Sequence, residues 1–254
     1  MASPRIIYDF GANNGDDIPY YLLKAERVVA VEANPVLADQ IRSRFADAIS
    51  AGRLSVESCA LTVGESPDSV PFYVHKTEHV LSQFPQPAPR YLSSYDRIEV
   101  PARNVLDLVR EHGAPHYIKI DIEHFDHVIL RALFNAGIYP PYVSAEAHTI
   151  DVFALLVVGR YAAFKLVDGK TVPTKYKNCQ VATPDGPQTY SFPEHSAGPF
   201  GEDISGPWMN KNNFFRVLSY AGLGWRDIHA SRVDEPDHRH APQPRFEVNV
   251  RVDY

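Results

Sequence analysis

The segment Ile6–Phe10, closed at once by Gly11-Ala12-Asn13-Asn14-Gly15, constrains the fold more than any other feature of this chain. A short unbroken apolar strand has to be buried on both faces, and such strands belong to parallel sheets covered by helices. The pattern that follows agrees. Asp16 and Asp17 open a helix through Lys24, with Pro19 in its first turn, where a missing N–H is tolerated. Arg27–Glu32 is a second strand of Val and Ala, and Pro35 starts a helix with Leu37, Ile41 and Phe45 spaced four apart. Leu54–Leu61, Tyr117–Ile122, Tyr142–Ala147 and Ala163–Val167 read as the third to sixth strands. Helices fall between them: one from the N-cap Asn104 to Gly113, one with Phe125, Ile129, Ala132 and Leu133 on one face, and one over Val152–Tyr161. The expected architecture is a single α/β domain spanning residues 1–254, Rossmann-like and mostly parallel, with its core at 6–168.

Two stretches depart from that pattern. Across 65–103, Pro67, Pro71, Pro85, Pro87 and Pro89 exclude long regular elements, although Val70–Val74 suits an edge strand. The Pro-rich extension 169–254 holds one helix near Asn212–Tyr220, stopped by Gly222. It ends in Arg245–Tyr254, whose alternation suits a half-exposed last strand, while the preceding Asp237–Arg245 reads as a solvated loop.

Composition narrows the function. At 44% hydrophobic and 22% charged residues, the 254-residue chain can bury a full core, which excludes global disorder. A formal charge of -6 weighs against nucleic acid as a partner, because phosphate binding needs clustered cations. The longest apolar run, Val152–Val158, falls short of the roughly 20 residues of a membrane span. The start of the sequence lacks the apolar stretch of a secretory signal, and Cys59 and Cys179 match no metal or redox spacing. A cytoplasmic protein is expected.

Ligands of open parallel sheets sit at the carboxyl ends of the strands, where strand order reverses. The turn after Phe10 is therefore the expected binding loop. It lacks the second and third glycines of a dinucleotide fingerprint and has no phosphate-binding lysine. An acid at Asp16 or Asp17 would repel a diphosphate but receive a ligand ammonium; the plainer role for Asp17 is to cap the helix. Glu32, 17 residues after Gly15, is near the spacing at which an acid meets ribose hydroxyls. A nucleoside with a ribose and no phosphate fits these signs, and S-adenosylmethionine is such a ligand. A side chain at Gly11 is expected to fill space that this ligand needs.

The segments YDFGANNG, VVAVEANP, SCAL, YIKIDIEHFDHVIL and VSAEAH, in this order and spacing, resemble the FkbM-type S-adenosylmethionine-dependent methyltransferases. The resemblance implies the class I methyltransferase fold with a seven-stranded sheet and helices on both faces, and methyl transfer to a hydroxyl oxygen. The acceptor would be a small molecule or glycan: a sugar, polyketide or related metabolite. Carried onto this chain, Asp9, Gly11, Ala12, Asn13 and Gly15 would hold the methionine end, Glu32 and Ala33 the ribose, and Ser58, Cys59 and Ala60 the adenine, with Asp121 also on the cofactor. Three departures bear on the acceptor pocket. His124-Phe125-Asp126-His127 follows the acid at Glu123 where the family has glycine, the C-terminal extension is long, and only five residues precede the first strand, so a helix that commonly covers the cofactor is not expected.

Loss of the acceptor proton calls for a base at the ends of the fourth and fifth strands. Asp121 and His148 are the candidate bases, with Glu146 orienting the acceptor; backbone bonding is the plainer role for His148, and helix capping for Glu123. Glu123, His124, Tyr95 and Trp208 are candidate acceptor contacts. Trp208 belongs to Ser196–Trp208, expected as a lid or acceptor wall, with Arg90, Tyr91 and Tyr95 opposite. No metal is expected; if one were held, Asp121, Glu146 and His148 are its candidate ligands. Two other classes compete: a non-catalytic binding subunit of the same fold, suggested by the residues after Glu123, and a nicotinamide-dependent oxidoreductase, disfavoured by the missing glycines.

Overall fold

The structure, a computed structural model, describes residues 4–232. The chain runs β1 (Ile6–Phe10), α1 (Ile18–Lys24), β2 (Arg27–Val31), α2 (Pro35–Arg44), α3 (Ala46–Ser50), β3 (Leu54–Glu57), β4 (Ala60–Thr62), β5 (Ser69–His75), β6 (Tyr95–Asn104) and α4 (Val105–His112). It continues through β7 (Tyr117–Ile120), α5 (Asp126–Asn135), β8 (Tyr142–Ala147), α6 (Ile150–Val158), β9 (Ala163–Asp168), α7 (Val172–Lys175), β10 (Cys179–Thr183), β11 (Gly186–Tyr190), α8 (Lys211–Ala221) and β12 (Gly224–Ser231).

Seven strands form the main sheet in the order β3-β2-β1-β7-β8-β12-β9. All neighbours are parallel except β12, which lies antiparallel between β8 and β9. The chain steps outward from β1 to β3 and then returns to the other side of β1 with β7, so strand order reverses between β1 and β7. Alternate residues of β1 serve opposite faces. Ile6, Tyr8 and Phe10 pack with residues of α4, α5, α6 and α8, whereas Ile7 packs with those of α1, α2 and the C-terminal extension.

Two expectations are corrected, and a third, the strand at Arg245–Tyr254, falls on residues that are not described. Leu54–Leu61 is not one strand. It breaks after Glu57, and β4 leaves the main sheet for a second one ordered β4-β6-β5. The insert is accordingly less irregular than its prolines suggest. Ile98, Val100 and Ala102 of β6 alternate toward a small core with Ala60, Val70 and Phe72, and Pro71 is tolerated because β5 is an edge strand. The seventh strand is Gly224–Ser231; Arg245–Tyr254 and the loop before it lie outside the described residues. Asp227, His229 and Ser231 are buried on one face of β12, which hides it from a search for apolar runs.

The segment Ser196–Trp208, expected as a lid or acceptor wall, packs against α1 and β7. Asp17 sits before α1 without capping it; its carboxylate accepts hydrogen bonds from Ser196 Oγ and from the Ala197 amide at 3.1 Å. Tyr20 Oη donates to Asp203 at 2.8 Å, Lys24 pairs with Asp203 at 2.7 Å, and Phe200 stacks flat on Tyr117 at 4.1 Å. No helix among the described residues is long and apolar enough to cross a membrane.

Gly11 shows how closely the two central strands approach. Its φ is +85°, and a Cβ built there would lie 1.8 Å from the Asp121 carbonyl oxygen. The glycine is thus demanded by backbone packing between the ends of β1 and β7, not by space left for a ligand. Gly11→Ala is expected to lower the free energy of unfolding by about 3 kcal/mol or more in ligand-free protein. Chemical denaturation tests this, and wild-type stability would refute it.

Candidate functional site

A cavity of about 460 Å³ opens at the carboxyl ends of β1, β2, β7 and β8, where strand order reverses. One end is built by the turn after β1. The amides of Gly11 and Ala12 both donate to the Val31 carbonyl at 3.0 Å, and Asn13 turns left-handed at φ +50°. That geometry aims the Asn13 amide at Glu32 Oε2, 2.8 Å away, while Glu32 Oε1 accepts from the Asn34 amide at 2.7 Å. Burial outweighs these bonds and pushes the Glu32 carboxyl up to about 7, with the charge of Asp9 adding to the shift and that of Lys119 opposing it.

Beneath the turn lies Lys119, buried within the otherwise apolar β7. Its ammonium stands 3.4 Å from Asp9, 3.3 Å from Asp121 and 3.7 Å from Asp17, and donates to the Gly11 carbonyl at 3.3 Å. Burial opposes its charge, but the surrounding aspartates hold Lys119 well above the ordinary lysine range. Lys119 was absent from the expectations; its signal is a lone cation in the unbroken run Tyr117–Ile120, all four residues of which are buried.

Of the expected cofactor residues, Gly11, Asn13, Glu32, Ala33, Cys59, Ala60 and Asp121 line this one cavity. Asp9, Ala12, Gly15 and Ser58 do not. Asp9 is fully buried under the turn against Lys119, and a Cβ at Gly15 would meet Phe45, Ile18 and Ile41 at 3.0–3.1 Å. Burial pushes the Cys59 thiol up to about 12, so it lines the cavity as a small apolar group.

The other end is acidic. After β7 the backbone passes through left-handed conformations at Glu123 (φ +48°) and His124 (φ +64°) before α5 begins. Glu123 does not cap α5; it turns toward His148, which follows β8. His148 Nε2 is 2.7 Å from Glu146 Oε2 and 3.4 Å from Glu123 Oε2. Burial disfavours the imidazolium, but the adjacent carboxyl groups of Glu123 and Glu146 prevail and push His148 up to about 10. Burial likewise pushes Glu146 up to about 7. The alternative of a backbone-bonded His148 gives way to an imidazole held between two carboxyl groups.

Asp121, Glu123, Glu146 and His148 therefore converge, and the remaining acceptor candidates do not line the cavity. His124 is exposed, its ring 4.3 Å from that of His148. Tyr95 packs edge-on against His75. Trp208 is turned away: its Nε1 donates to Glu202 at 2.8 Å and its ring lies over the Lys165 ammonium. Tyr91 is likewise drawn aside, exposed under the Arg90 guanidinium. The walls come from residues that sequence reasoning missed. His79–Phe84 of the insert, His195 and Trp225 line the cavity, with the rings of His79 and His195 6.2 Å apart. Trp225 is seated there because its indole occupies the space a Cβ at Gly169 would take.

Residues 9–153 match the methyltransferase FkbM domain. Among solved structures, the FkbM methyltransferase of Methylobacillus flagellatus KT is 20% identical, with 65% of this chain and 40% of that chain covered and a TM-score of 0.41. The O-methyltransferase of Bacillus cereus, solved with S-adenosylhomocysteine, is 12% identical, covering 90% of this chain and 74% of that chain at a TM-score of 0.39. A SAM-dependent O-methyltransferase of Thermotoga maritima is 8% identical, covering 92% and 61% at a TM-score of 0.38. The chain thus spans two fifths of the length of the Methylobacillus protein. No curated protein matches it. The sheet is that of the class I methyltransferases, and the match covers more than half of the chain, from β1 into α6. The protein is a member of the FkbM methyltransferase domain family.

Proposed function

We propose that the cleft binds S-adenosylmethionine and directs its methyl group to a hydroxyl oxygen of a small-molecule or glycan acceptor. One observation carries this reading: Glu32, Glu78, Asp121, Glu123 and Glu146 line the cavity, and among the described residues no Lys or Arg does. A diphosphate would meet five carboxyl groups there, offset by no Lys or Arg among the described residues and by a His148 already held between Glu123 and Glu146, which disfavours a nicotinamide dinucleotide. A ligand with a sulfonium and an ammonium suits such a wall. Glu32, just after β2, would accept from ribose hydroxyls, and Asn13 and Gly11 would bring the turn close to the ligand.

The bound cofactor supplies an electrophilic methyl carbon on a good leaving group. The chain's part is alignment, worth up to roughly 7–11 kcal/mol when the reacting atoms are held in near-attack geometry. Asp121 and Glu146 would orient the acceptor oxygen, and the Glu146–His148 pair would take its proton. Such proton removal contributes typically 10²–10⁴-fold.

His148→Ala is expected to leave S-adenosylhomocysteine affinity within about threefold while slowing turnover by about 10². Calorimetry and a single-turnover assay check this, and unchanged turnover would take His148 out of the reaction. Glu32 supplies a pH test. Below about 7 its carboxyl is protonated and accepts poorly from a ribose, so affinity should rise with pH. S-adenosylhomocysteine should bind about tenfold more tightly at pH 8 than at pH 6. Glu32→Gln should bind more weakly with that slope removed, and a slope kept in the variant would argue against the ribose contact.

A further inference from the structure

Glu123, Glu146 and His148 each offer one ligand atom, and these atoms all lie within 4.8 Å of one another. They come from two adjacent strand ends and face the same cavity. His148 Nε2 is shut off from solvent and makes no aligned hydrogen bond, although two carboxylate oxygens stand at 2.7 and 3.4 Å. The three groups are therefore gathered around a point rather than paired in line. Donors held about 2.1 Å from a tetrahedral ion are about 3.4 Å apart, a spacing these atoms reach with small side-chain adjustments.

A second observation comes from behind the cluster. Asp126, 2% exposed at the start of α5, has no hydrogen-bond partner on either carboxyl oxygen. The charges of Asp121, Glu146 and His148 act on it. Lys119 is already shared among Asp9, Asp17 and Asp121. Glu146 is itself almost wholly buried, with a side-chain exposure of 6%. Buried carboxyl groups at this density need a cation, and His148 is the basic group that stands within 3.4 Å of both Glu123 and Glu146.

We propose that Glu123, Glu146 and His148 form a three-ligand site for a divalent transition-metal cation, with its open positions toward the cleft. Two carboxylates with one imidazole suit Mn²⁺ or Zn²⁺, and three protein ligands leave coordination positions for other oxygen donors. The site takes Glu123 as its third ligand in place of Asp121, whose carboxylate is engaged by Lys119. Cation binding stands on the geometry of these three residues alone. Its use in holding the acceptor oxygen rests on the methyl-transfer reading above.

The test uses the untagged full chain, stripped with chelator and titrated with Mn²⁺ by electron paramagnetic resonance and with Zn²⁺ by calorimetry. One ion per chain should bind in the micromolar range, and Glu123→Gln and His148→Gln should each weaken it at least about tenfold. Co²⁺ absorption should report the imidazole ligand and change in His148→Gln. Absence of Mn²⁺ and Zn²⁺ binding up to about 1 mM, or binding that both variants retain, overturns the site. S-adenosylhomocysteine titrations of the same samples confirm folding and separate the two readings. Cofactor binding without metal defeats the metal site alone, and metal binding without cofactor defeats the methyltransferase reading alone.

Discussion

A buried ammonium group has to find carboxylates, because the low-dielectric interior leaves an isolated charge without its solvation. Lys119 meets that demand where β1 and β7 run side by side. Its register partner across the ladder is Asp9, and Asp17, Asp121 and the Gly11 carbonyl complete the shell. The glycine turn, the start of α1 and the end of β7 are thereby tied to one point. The shape of the cleft follows from it: Gly11 is pressed onto Asp121, the turn presents Asn13 to Glu32, and Asp17 draws Ser196 and Ala197 in from the extension. Removing Lys119 would leave three carboxyl groups crowded at one point without the cation they share.

The two ends of the cleft use carboxyl groups differently. Glu32 is satisfied by two backbone amides at the glycine-turn end. Glu123 and Glu146 face an imidazole and each other, with a further buried carboxyl group behind them. Between these ends the wall is largely apolar, contributed by Val31, Leu61, Phe72, Phe84 and Ile122. Polar recognition at the extremes and an apolar middle is the distribution by which pockets orient a ligand while drawing its bulk out of water.

Much of this was legible in the residues. The strands of the parallel half could be read because a strand buried on both sides leaves no alternative to a continuous apolar run, and Asn104, Gly113 and Gly222 mark helix ends as their chemistry dictates. Strand β12 escaped notice because Asp227, His229 and Ser231 point inward, where only the tertiary setting accommodates them. The break after Glu57 was also hidden, since nothing in Leu54–Leu61 tells which strand each half will join. The cleft walls were the least readable part. Whether Trp208 or Trp225 faces the cavity is decided by Lys165 and Gly169, residues distant in sequence from at least one of the two indoles. Glu123, Glu146 and His148 were each visible as candidates, but their convergence depends on the left-handed bend at 123–124.

The placement of β12 gives the sheet an unusual dependence on the late part of the chain. Strands β8 and β9 do not pair with each other; β8 is bonded to β7 and β12, and among the described residues β9 joins the main sheet through β12, the antiparallel strand wedged between them. During synthesis β9 emerges about sixty residues before the piece that joins it to the rest. Until then the His148 end of β8 is an open sheet edge, so the acidic corner of the cleft is the portion of the molecule that matures last.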